Sequence, residues 1–262
     1  MYSRLSHRFV VYFFFMRAAF FYPVSSIAAL LAIWQVAALV FKSPLLPSPV
    51  DVFEVFLSEI RSGTLPYHLG VTLARLAVSF GLAMSLGTAI GIFLGRHEKL
   101  DRFFDSWLVF FLNIPALVII ILCYVWFGLV ESAAIAAVVI NKLPNVIVTL
   151  REGARTLDRD LLEMAEAYRF GRYKTLRHIV WPQLYPFFIA ASRTGLALIW
   201  KIILVVELLG RSNGMGFQLH LFFQMFNVSA ILAYTIAFVV VIQLIEVGIL
   251  KPLDRHAQRW RR

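Results

Sequence analysis

The sequence has few charged residues and a single cysteine. Asp, Glu, Lys and Arg make up 15% of its 262 residues, whereas an ordinary soluble domain has about 25%. So few charges cannot cover the surface of a soluble protein of this length. Cys123 alone can form neither an internal disulfide nor a cysteine zinc cluster. Because 60% of the residues are hydrophobic, the composition indicates an integral membrane protein.

Motifs for covalent chemistry are also missing. No Gly-Lys pair occurs, so the sequence has no phosphate-binding loop of the Walker type. His97-Glu98 lacks the second histidine of a metalloprotease helix, and the six histidines show no metal-ligand spacing. We therefore predict no catalytic residue, no metal site and no cofactor bound by this chain.

Long apolar runs dominate the sequence. A hydrocarbon core about 30 Å thick needs a helix of roughly 20 residues. Six runs approach or exceed that length: 24–41, 76–94, 106–130, 132–150, 187–206 and 227–245. The predicted fold is a single all-α integral membrane domain over residues 1–262, with about six transmembrane helices and a long loop between spans four and five.

Basic residues are distributed unevenly around these runs. Of the 25 Lys and Arg residues, 18 lie in alternate loops and the two termini, whereas only Lys42, Arg61 and Arg211 lie in the opposite loops. Cytoplasmic loops carry such an excess. Both termini and the fourth loop are therefore predicted to be cytoplasmic, and the net charge of +10 needs no nucleic acid partner. Residues 1–22 are predicted to form an interfacial segment and 251–262 a basic tail.

Two patterns within the runs concern helix packing. Small residues occupy every fourth position of the second run: Ala83, Gly87, Gly91 and Gly95. This spacing predicts a close approach by a neighbouring helix. Pro115 and Pro144 lack a backbone N–H donor, so each predicts a kink in its helix.

The loop between the fourth and fifth runs contains a predicted amphipathic helix. Its apolar residues recur at helical spacing: Leu157, Leu161, Met164, Ala165 and Tyr168. The segment from Arg169 to Gly171 interrupts the helix, and a second short helix is predicted up to Pro182. An apolar stripe outside the bilayer needs a partner surface. The pattern leaves open whether that surface is the protein's own helix ends or another subunit.

The same loop resembles the EAA loop found in the membrane subunits of binding-protein-dependent ABC importers. That pattern reads Glu-Ala-Ala, three residues, Gly, nine residues, Ile-x-Leu-Pro. Glu163 stands at the glutamate, and Met164 and Ala165 stand at the two alanines. Ile179 and Pro182 match the C-terminal end of the pattern.

The glycine of the pattern is replaced by Arg169. We expect Gly171, two residues later, to supply the bend instead. Arg169 either contacts an acidic or backbone acceptor on an ATPase subunit or points to water or lipid phosphate. The resemblance implies coupling helices within 157–180, and it places these residues at the ATPase contact: Leu161, Glu163, Met164, Ala165, Tyr168, Arg169 and Gly171.

The resemblance extends over nearly the whole chain. Segments similar to the nitrate, sulfonate, taurine and bicarbonate branch of these permeases are Trp34-Gln35 and residues 45–56, 71–96, 113–128 and 205–216. It implies a permease subunit, in a bacterial inner membrane, that forms the translocation pathway for a small solute of the anion type. The implied partners are cytoplasmic ATPase subunits that bind ATP and Mg, a periplasmic or lipid-anchored binding protein, a second identical or related permease, and membrane lipids.

Polar residues within the apolar runs are candidates for the substrate pathway, because charges inside a membrane usually face a protein interior or a water-filled cavity. The candidates are Asn113, Arg193, Lys201 and Glu207. Arg193 or Lys201 would either give the pathway a positive potential, or snorkel or pair with a neighbouring helix. The alternative function is a self-sufficient ion-coupled secondary transporter with Glu207 or Glu246 as coupling acid, although no internal repeat is visible.

Overall fold

The computed structural model describes residue 22 and residues 25–252, and the regular structure in that part of the chain is entirely helical. The predicted interfacial segment and basic tail lie outside the described residues, apart from positions 22, 251 and 252. The helices are α1 (Ser25–Phe41), α2 (Pro49–Arg61), α3 (Thr64–Gly95), α4 (Glu98–Asn113), α5 (Ala116–Phe127), α6 (Glu131–Arg155), α7 (Arg159–Ala167), α8 (Arg172–Thr175), α9 (Trp181–Gly210), α10 (Met215–Gln224) and α11 (Val228–Ile245). Turns of π-helix at Leu176–Val180 and Glu246–Leu250 join α8 to α9 and extend α11.

Four helical stretches in the described residues are long and apolar enough to cross a membrane. They are α3, α6, the continuous run Arg172–Gly210 that contains α9, and Val228–Gly248 that contains α11. These stretches confirm the predicted second, fourth, fifth and sixth spans. α1 occupies the predicted first span as a shorter apolar helix.

The predicted third span, 106–130, is broken rather than continuous. α4 and α5 meet at Ile114 and Pro115, and the two helices are bent by 95° relative to each other. Pro115 has no N–H to donate and holds the preceding residue in extended backbone, with φ −72° and ψ 126° at Ile114. The predicted kink is therefore a sharp corner. Pro144, in contrast, lies inside α6 without ending it.

α2 begins with a capping box that the sequence supports. The Ser48 hydroxyl accepts from the N–H of Asp51 (3.2 Å), and the Asp51 carboxylate accepts from the N–H of Ser48 (2.9 Å). Hydrogen bonds from the Ser48 hydroxyl and N–H hold the pKa of Asp51 below its ordinary value. The indole N–H of Trp34 donates to the carbonyl of Pro47 at 2.9 Å, which ties α1 to this helix start.

α3 and α6 pack closely and in parallel, as the small-residue spacing predicts. A Cβ atom added at Gly87 would lie 2.6 Å from the Cβ of Val146. One added at Gly91 would lie 2.8 Å from the carbonyl oxygen of Ile147. Only residues without a side chain allow this approach, so the predicted packing role of the stripe is confirmed.

α9 completes a three-helix core with α3 and α6. Its Gly195 faces Lys142 of α6 and Phe80 of α3, and Phe187 fills the space beside Gly153 of α6. α9 is antiparallel to the other two helices, so its N-terminal end meets their C-terminal ends, which the distribution of basic residues predicts to be cytoplasmic. The core thereby connects two polar regions at opposite ends of the molecule.

Candidate functional site

α7 forms the first half of the 157–180 segment and is fixed at its start. The Asp158 carboxylate accepts hydrogen bonds from the N–H groups of Asp160 (2.9 Å) and Leu161 (3.3 Å), which caps the helix. The N–H of Asp158 donates to the Gln183 side chain at 2.9 Å. This contact ties the start of α7 to the first turn of α9.

The apolar stripe of α7 is divided between two environments. Leu157 and Ala165 are buried, and Leu157 packs with Val180 and Leu184 near the start of α9. Three members of the stripe, which we call the α7 surface, remain exposed: Leu161 (39%), Met164 (39%) and Tyr168 (75%). The protein's own helix ends therefore cover one part of the stripe and leave the other part open. Glu163, on the same helix, is also exposed.

Arg169 makes the turn at the end of α7. Its φ of +52° is in the left-handed region, and the N–H of Phe170 donates to the carbonyl of Ala165 at 2.7 Å. Gly171 has φ −65° and ψ 158°, a conformation open to any residue. The expectation that Gly171 supplies the bend is therefore wrong. The bend lies at Arg169, because a left-handed residue is required there and glycine is the residue that meets that requirement at least cost.

A cluster of ion pairs ties α4 to the C-terminal end of α6. Arg151 is 7% exposed and donates to Asp101 (3.0 Å) and Asp105 (2.6 Å). Arg155 donates to Asp101 and, at 2.9 Å, to Glu152. Sequence reasoning placed these arginines only in a cytoplasmic loop. The available signal was the opposite charge of the residues that begin α4, on the same side of the membrane.

The opposite end of the molecule is predicted to be external, and it contains a largely buried set of polar contacts, which we call the external network. At its centre Arg75 donates to Glu131 at 2.6 Å and to Glu207 at 2.7 Å. Arg211 also pairs with Glu131, at 2.9 Å. Arg75 is 5% exposed and Glu207 is 0% exposed. These contacts join α3, α6 and α9 through one guanidinium group.

The external network also holds the start of α10. The first N–H groups of a helix have no intrahelical acceptor. Here side chains of α3 and α9 accept them: Gly214 N–H donates to His68 Nδ1 (3.0 Å), Met215 N–H to the Thr72 hydroxyl (2.8 Å) and Gly216 N–H to the Glu207 carboxylate (2.9 Å). A Cβ atom at Gly216 would lie 2.2 Å from the carbonyl oxygen of Leu204, so this approach requires glycine.

The four predicted pathway residues are not brought together. Asn113 lies at the corner between α4 and α5, where its amide donates to the backbone of α4. Arg193 and Lys201 lie on the exposed side of α9, with Lys201 Nζ 5.4 Å from the centre of the Trp200 ring. Glu207 is enclosed by the external network. Their assignment to the pathway stays a prediction, and the geometry favours Arg193 and Lys201 over Glu207.

Lys142 is a buried cation within the predicted fourth span. It is 2% exposed, and its Cε lies 3.4 Å from where a Cβ of Gly195 would be, beside Phe80 and Met84. Within the described residues it makes no hydrogen bond or ion pair. Because an isolated charge is costly inside a membrane protein, Lys142 marks a point where the three-helix core departs from simple apolar packing.

Known proteins share sequence similarity with this chain over most of its length. Residues 87–250 match the family described as binding-protein-dependent transport system inner membrane component. A Bacillus subtilis protein that bears the name aliphatic sulfonates transport permease SsuC is 29% identical over 236 residues, which cover 89% of this chain and 85% of that protein. The taurine transport system permease TauC of Escherichia coli is 25% identical, with coverage of 90% and 88%.

Two further similarities come from a third relative and from a solved structure. The bicarbonate transport system permease CmpB of Synechococcus elongatus is 28% identical, with coverage of 91% of this chain and 88% of that protein. A chain from the inward-facing MetNI methionine ABC transporter aligns with a TM-score of 0.65 at 17% identity and covers 78% of this chain and 99% of its own length. At this identity the structural match shows the fold.

Proposed function

The chain belongs to the family of binding-protein-dependent transport system inner membrane components, and we propose that it carries a small anion across the membrane under the control of its 157–180 segment. Family members are permease components of ABC importers. The permease role follows from family membership, whereas the anion and the coupling segment are the proposal.

The continuous helical run from Arg172 to Gly210 is the observation that carries the coupling proposal. It contains 39 residues, which at 1.5 Å per residue span about 60 Å. Its cytoplasmic end begins next to the turn at Arg169, and its external end holds Glu207 in the external network. Because a helix transmits displacement along its axis, motion imposed at α7 would reach the external end.

The α7 surface supports an ATPase subunit as the source of that motion. Leu161, Met164 and Tyr168 are exposed apolar side chains on a helix outside the predicted spans. The helix is capped by Asp158 and its C-terminal turn is closed at Arg169. An exposed apolar surface on a fixed element is typical of a docking site.

A small anion is the substrate class that we propose. Three relatives are named for aliphatic sulfonates, taurine and bicarbonate, which all carry an anionic group. The exposed side of α9 presents Arg193 and Lys201, and cations on a pathway wall raise the local concentration of anions. The charge of this wall therefore suits the substrates for which the relatives are named.

The assembly that we propose contains two permease subunits, a separate binding protein and two cytoplasmic ATPase subunits that bind ATP and Mg. It lies in a bacterial inner membrane with both termini in the cytoplasm, in agreement with the distribution of basic residues. The secondary-transporter alternative loses its main support, because the Glu207 carboxylate is committed to Arg75 and to the start of α10.

Purification of the full-length chain from its native host in mild detergent tests this proposal. We expect an ATPase subunit to co-purify in stoichiometric amount and to hydrolyse ATP faster when binding protein and substrate are added. Tyr168→Ala should lower this stimulation by roughly tenfold, as for an interface anchor. Phe53→Ala, which removes an aromatic side chain 58% exposed on α2, is the matched control. A chain that purifies alone, stable and without ATPase, would refute the coupling role.

A further inference from the structure

Two cavities lie along the same side of α4. An apolar cavity of about 550 Å³ lies between α3, α4 and α6, with a lining that includes Phe93, Phe104, Leu108, Phe111 and Ile147. A polar cavity of about 590 Å³ lies at the cytoplasmic ends of the same helices, where the start of α7 closes one side. Neither cavity belongs to the external network or to the α7 surface.

The two cavities lie end to end along α4. Along α4, Glu98 and Asp101 line the polar cavity, and Phe104, Leu108 and Phe111 line the apolar one. These positions follow at intervals of three or four residues and so share one face of the helix. On α3, the adjacent residues 94 and 95 line the apolar and the polar cavity respectively. We call the combined feature the α4 groove.

The polar mouth of the α4 groove has an excess of positive charge. Its lining contains four arginines, which are Arg96, Arg102, Arg155 and Arg159. Its two carboxylates are already engaged, since Glu98 accepts from Arg102 and Asp101 accepts from Arg155 and from the buried Arg151. Within the described residues, Arg96 and Arg159 form no ion pair. An anionic group in the mouth would supply a partner for both.

We propose that the α4 groove binds one anionic glycerophospholipid of the inner leaflet, with its phosphate at Arg96 and Arg159 and an acyl chain in the apolar cavity. A soluble phosphate compound would use only the mouth, and an apolar helix would use only the deeper cavity. An amphiphile uses both. Basic pockets between helices at the cytoplasmic side are suited to anionic headgroups.

The surroundings of the groove are consistent with entry from the membrane. Immediately beyond the mouth, α4 exposes Phe103 (63%) and Trp107 (57%), and aromatic residues of this kind concentrate at the membrane–water interface. Trp107 also lines the apolar cavity. The indole is therefore a built-in reporter of the acyl chain.

Fluorescence quenching by brominated lipid tests the proposal on the full-length chain in nanodiscs. The signal assigned to Trp107 is the part that disappears in Trp107→Phe. We expect dibrominated phosphatidylglycerol to quench this part at a lower mole fraction than dibrominated phosphatidylcholine. In Arg96→Gln/Arg159→Gln the mole fraction of phosphatidylglycerol for half-quenching should rise roughly tenfold. Arg61→Gln, on the external helix α2, should leave it unchanged.

A second variant separates a lipid from a soluble phosphate. Ile90→Phe/Ile140→Phe narrows the apolar cavity at two partly exposed lining positions and leaves the arginines in place. We expect it to weaken the preference for phosphatidylglycerol as well. Retention of the full preference in this variant, or its removal by millimolar inorganic phosphate, would assign the mouth to a free anion and overturn the lipid proposal.

Two other results would also overturn it. Equal quenching by the two lipids in the unmodified chain would show that the groove does not select an anionic headgroup. Loss of ATPase co-purification in Arg96→Gln/Arg159→Gln, with lipid selectivity unchanged, would show that the mouth receives an acidic segment of a protein partner instead.

Discussion

The two ends of this permease, which are predicted to be external and cytoplasmic, differ in how far their polar and apolar groups are already paired or covered within the chain. At the external end, Arg75 and Glu207 are 5% and 0% exposed and neutralise each other within a network that also holds the start of α10. At the cytoplasmic end, Tyr168 is 75% exposed and the arginine mouth of the α4 groove has an excess of positive charge.

The difference separates groups that are paired within the chain from groups that are available to bind another molecule. A buried ion pair with complete hydrogen bonding gives rigidity, and removing one partner leaves an uncompensated charge. Exposed apolar and basic groups cost the isolated chain little and become favourable when a protein or lipid covers them. We therefore expect substitutions at the external end to affect folding and those at the α7 surface to affect coupling.

The largest effect is expected from Glu207→Ala. This change leaves the Gly216 N–H of α10 without its buried acceptor and removes one of the two carboxylates that pair with Arg75. It should lower the free energy of unfolding by about 3–5 kcal/mol. Thermal unfolding of the detergent-solubilised chain measures it. Glu163→Ala, on the exposed side of α7, is the control. Equal melting temperatures for the two variants would contradict the structural role of the network.

Gly91→Ala should destabilise the contact between α3 and α6. The added Cβ would lie 2.8 Å from the carbonyl oxygen of Ile147, so the helices must separate, at a cost of about 1–3 kcal/mol. Gly70→Ala, on the same helix but facing open space, controls for helix propensity. The same unfolding assay applies, and a Gly91→Ala protein as stable as Gly70→Ala would argue against close packing.

Lys142→Met should stabilise the three-helix core. It replaces a buried cation that has no partner in the described residues by an apolar side chain of similar length, and we expect the free energy of unfolding to rise by about 1–3 kcal/mol.

Lys201→Met, on the exposed side of α9, should change the free energy of unfolding by less than about 0.5 kcal/mol but reduce anion uptake. Uptake into proteoliposomes distinguishes the two lysines. Full uptake by Lys201→Met would remove that residue from the pathway.

Arg169→Gly should stabilise the turn at the end of α7 slightly. Glycine adopts the left-handed conformation without the strain of a side chain, so the turn should gain about 1 kcal/mol. Gly171→Ala should have no effect, because that residue is extended and faces open space. Stimulated ATPase activity decides the other question. Unchanged coupling in Arg169→Gly would show that the guanidinium makes no specific contact with the ATPase.

Periodicity and charge predicted the helices of this fold better than the contacts between them. The spans, the helices of the 157–180 segment and the glycine stripe of α3 were predictable, because each depends on residues close together in the chain. Arg75 and Glu207 were not recognised as a pair, since 132 residues separate them. The 95° corner at Pro115 was predicted only as a kink, because the angle depends on how α4 packs against α6.

In the 157–180 segment, too, the sequence pattern located a feature but not its three-dimensional form. The match to a known loop pattern indicated that position 169 normally holds glycine, but it could not show which residue turns the chain. The left-handed φ of Arg169 supplied that answer. Likewise, the stripe on α7 was visible as a pattern, while its division into buried Leu157 and exposed Tyr168 depends on where α9 begins.

The amino-acid sequence by itself determined that this protein is helical, spans a membrane, exposes its basic loops to one side and is identified with an importer family. The helical and membrane-spanning character and the side of the basic loops follow from hydrophobicity and charge, which act residue by residue and need no knowledge of the neighbours. The importer family follows from the resemblance of the sequence motifs. Only the tertiary structure decided that Glu207 is neutralised by Arg75, that Lys142 is buried without a partner among the described residues and that two cavities lie end to end beside α4. Such properties depend on distances between residues far apart in the chain, which arise only when the helices pack.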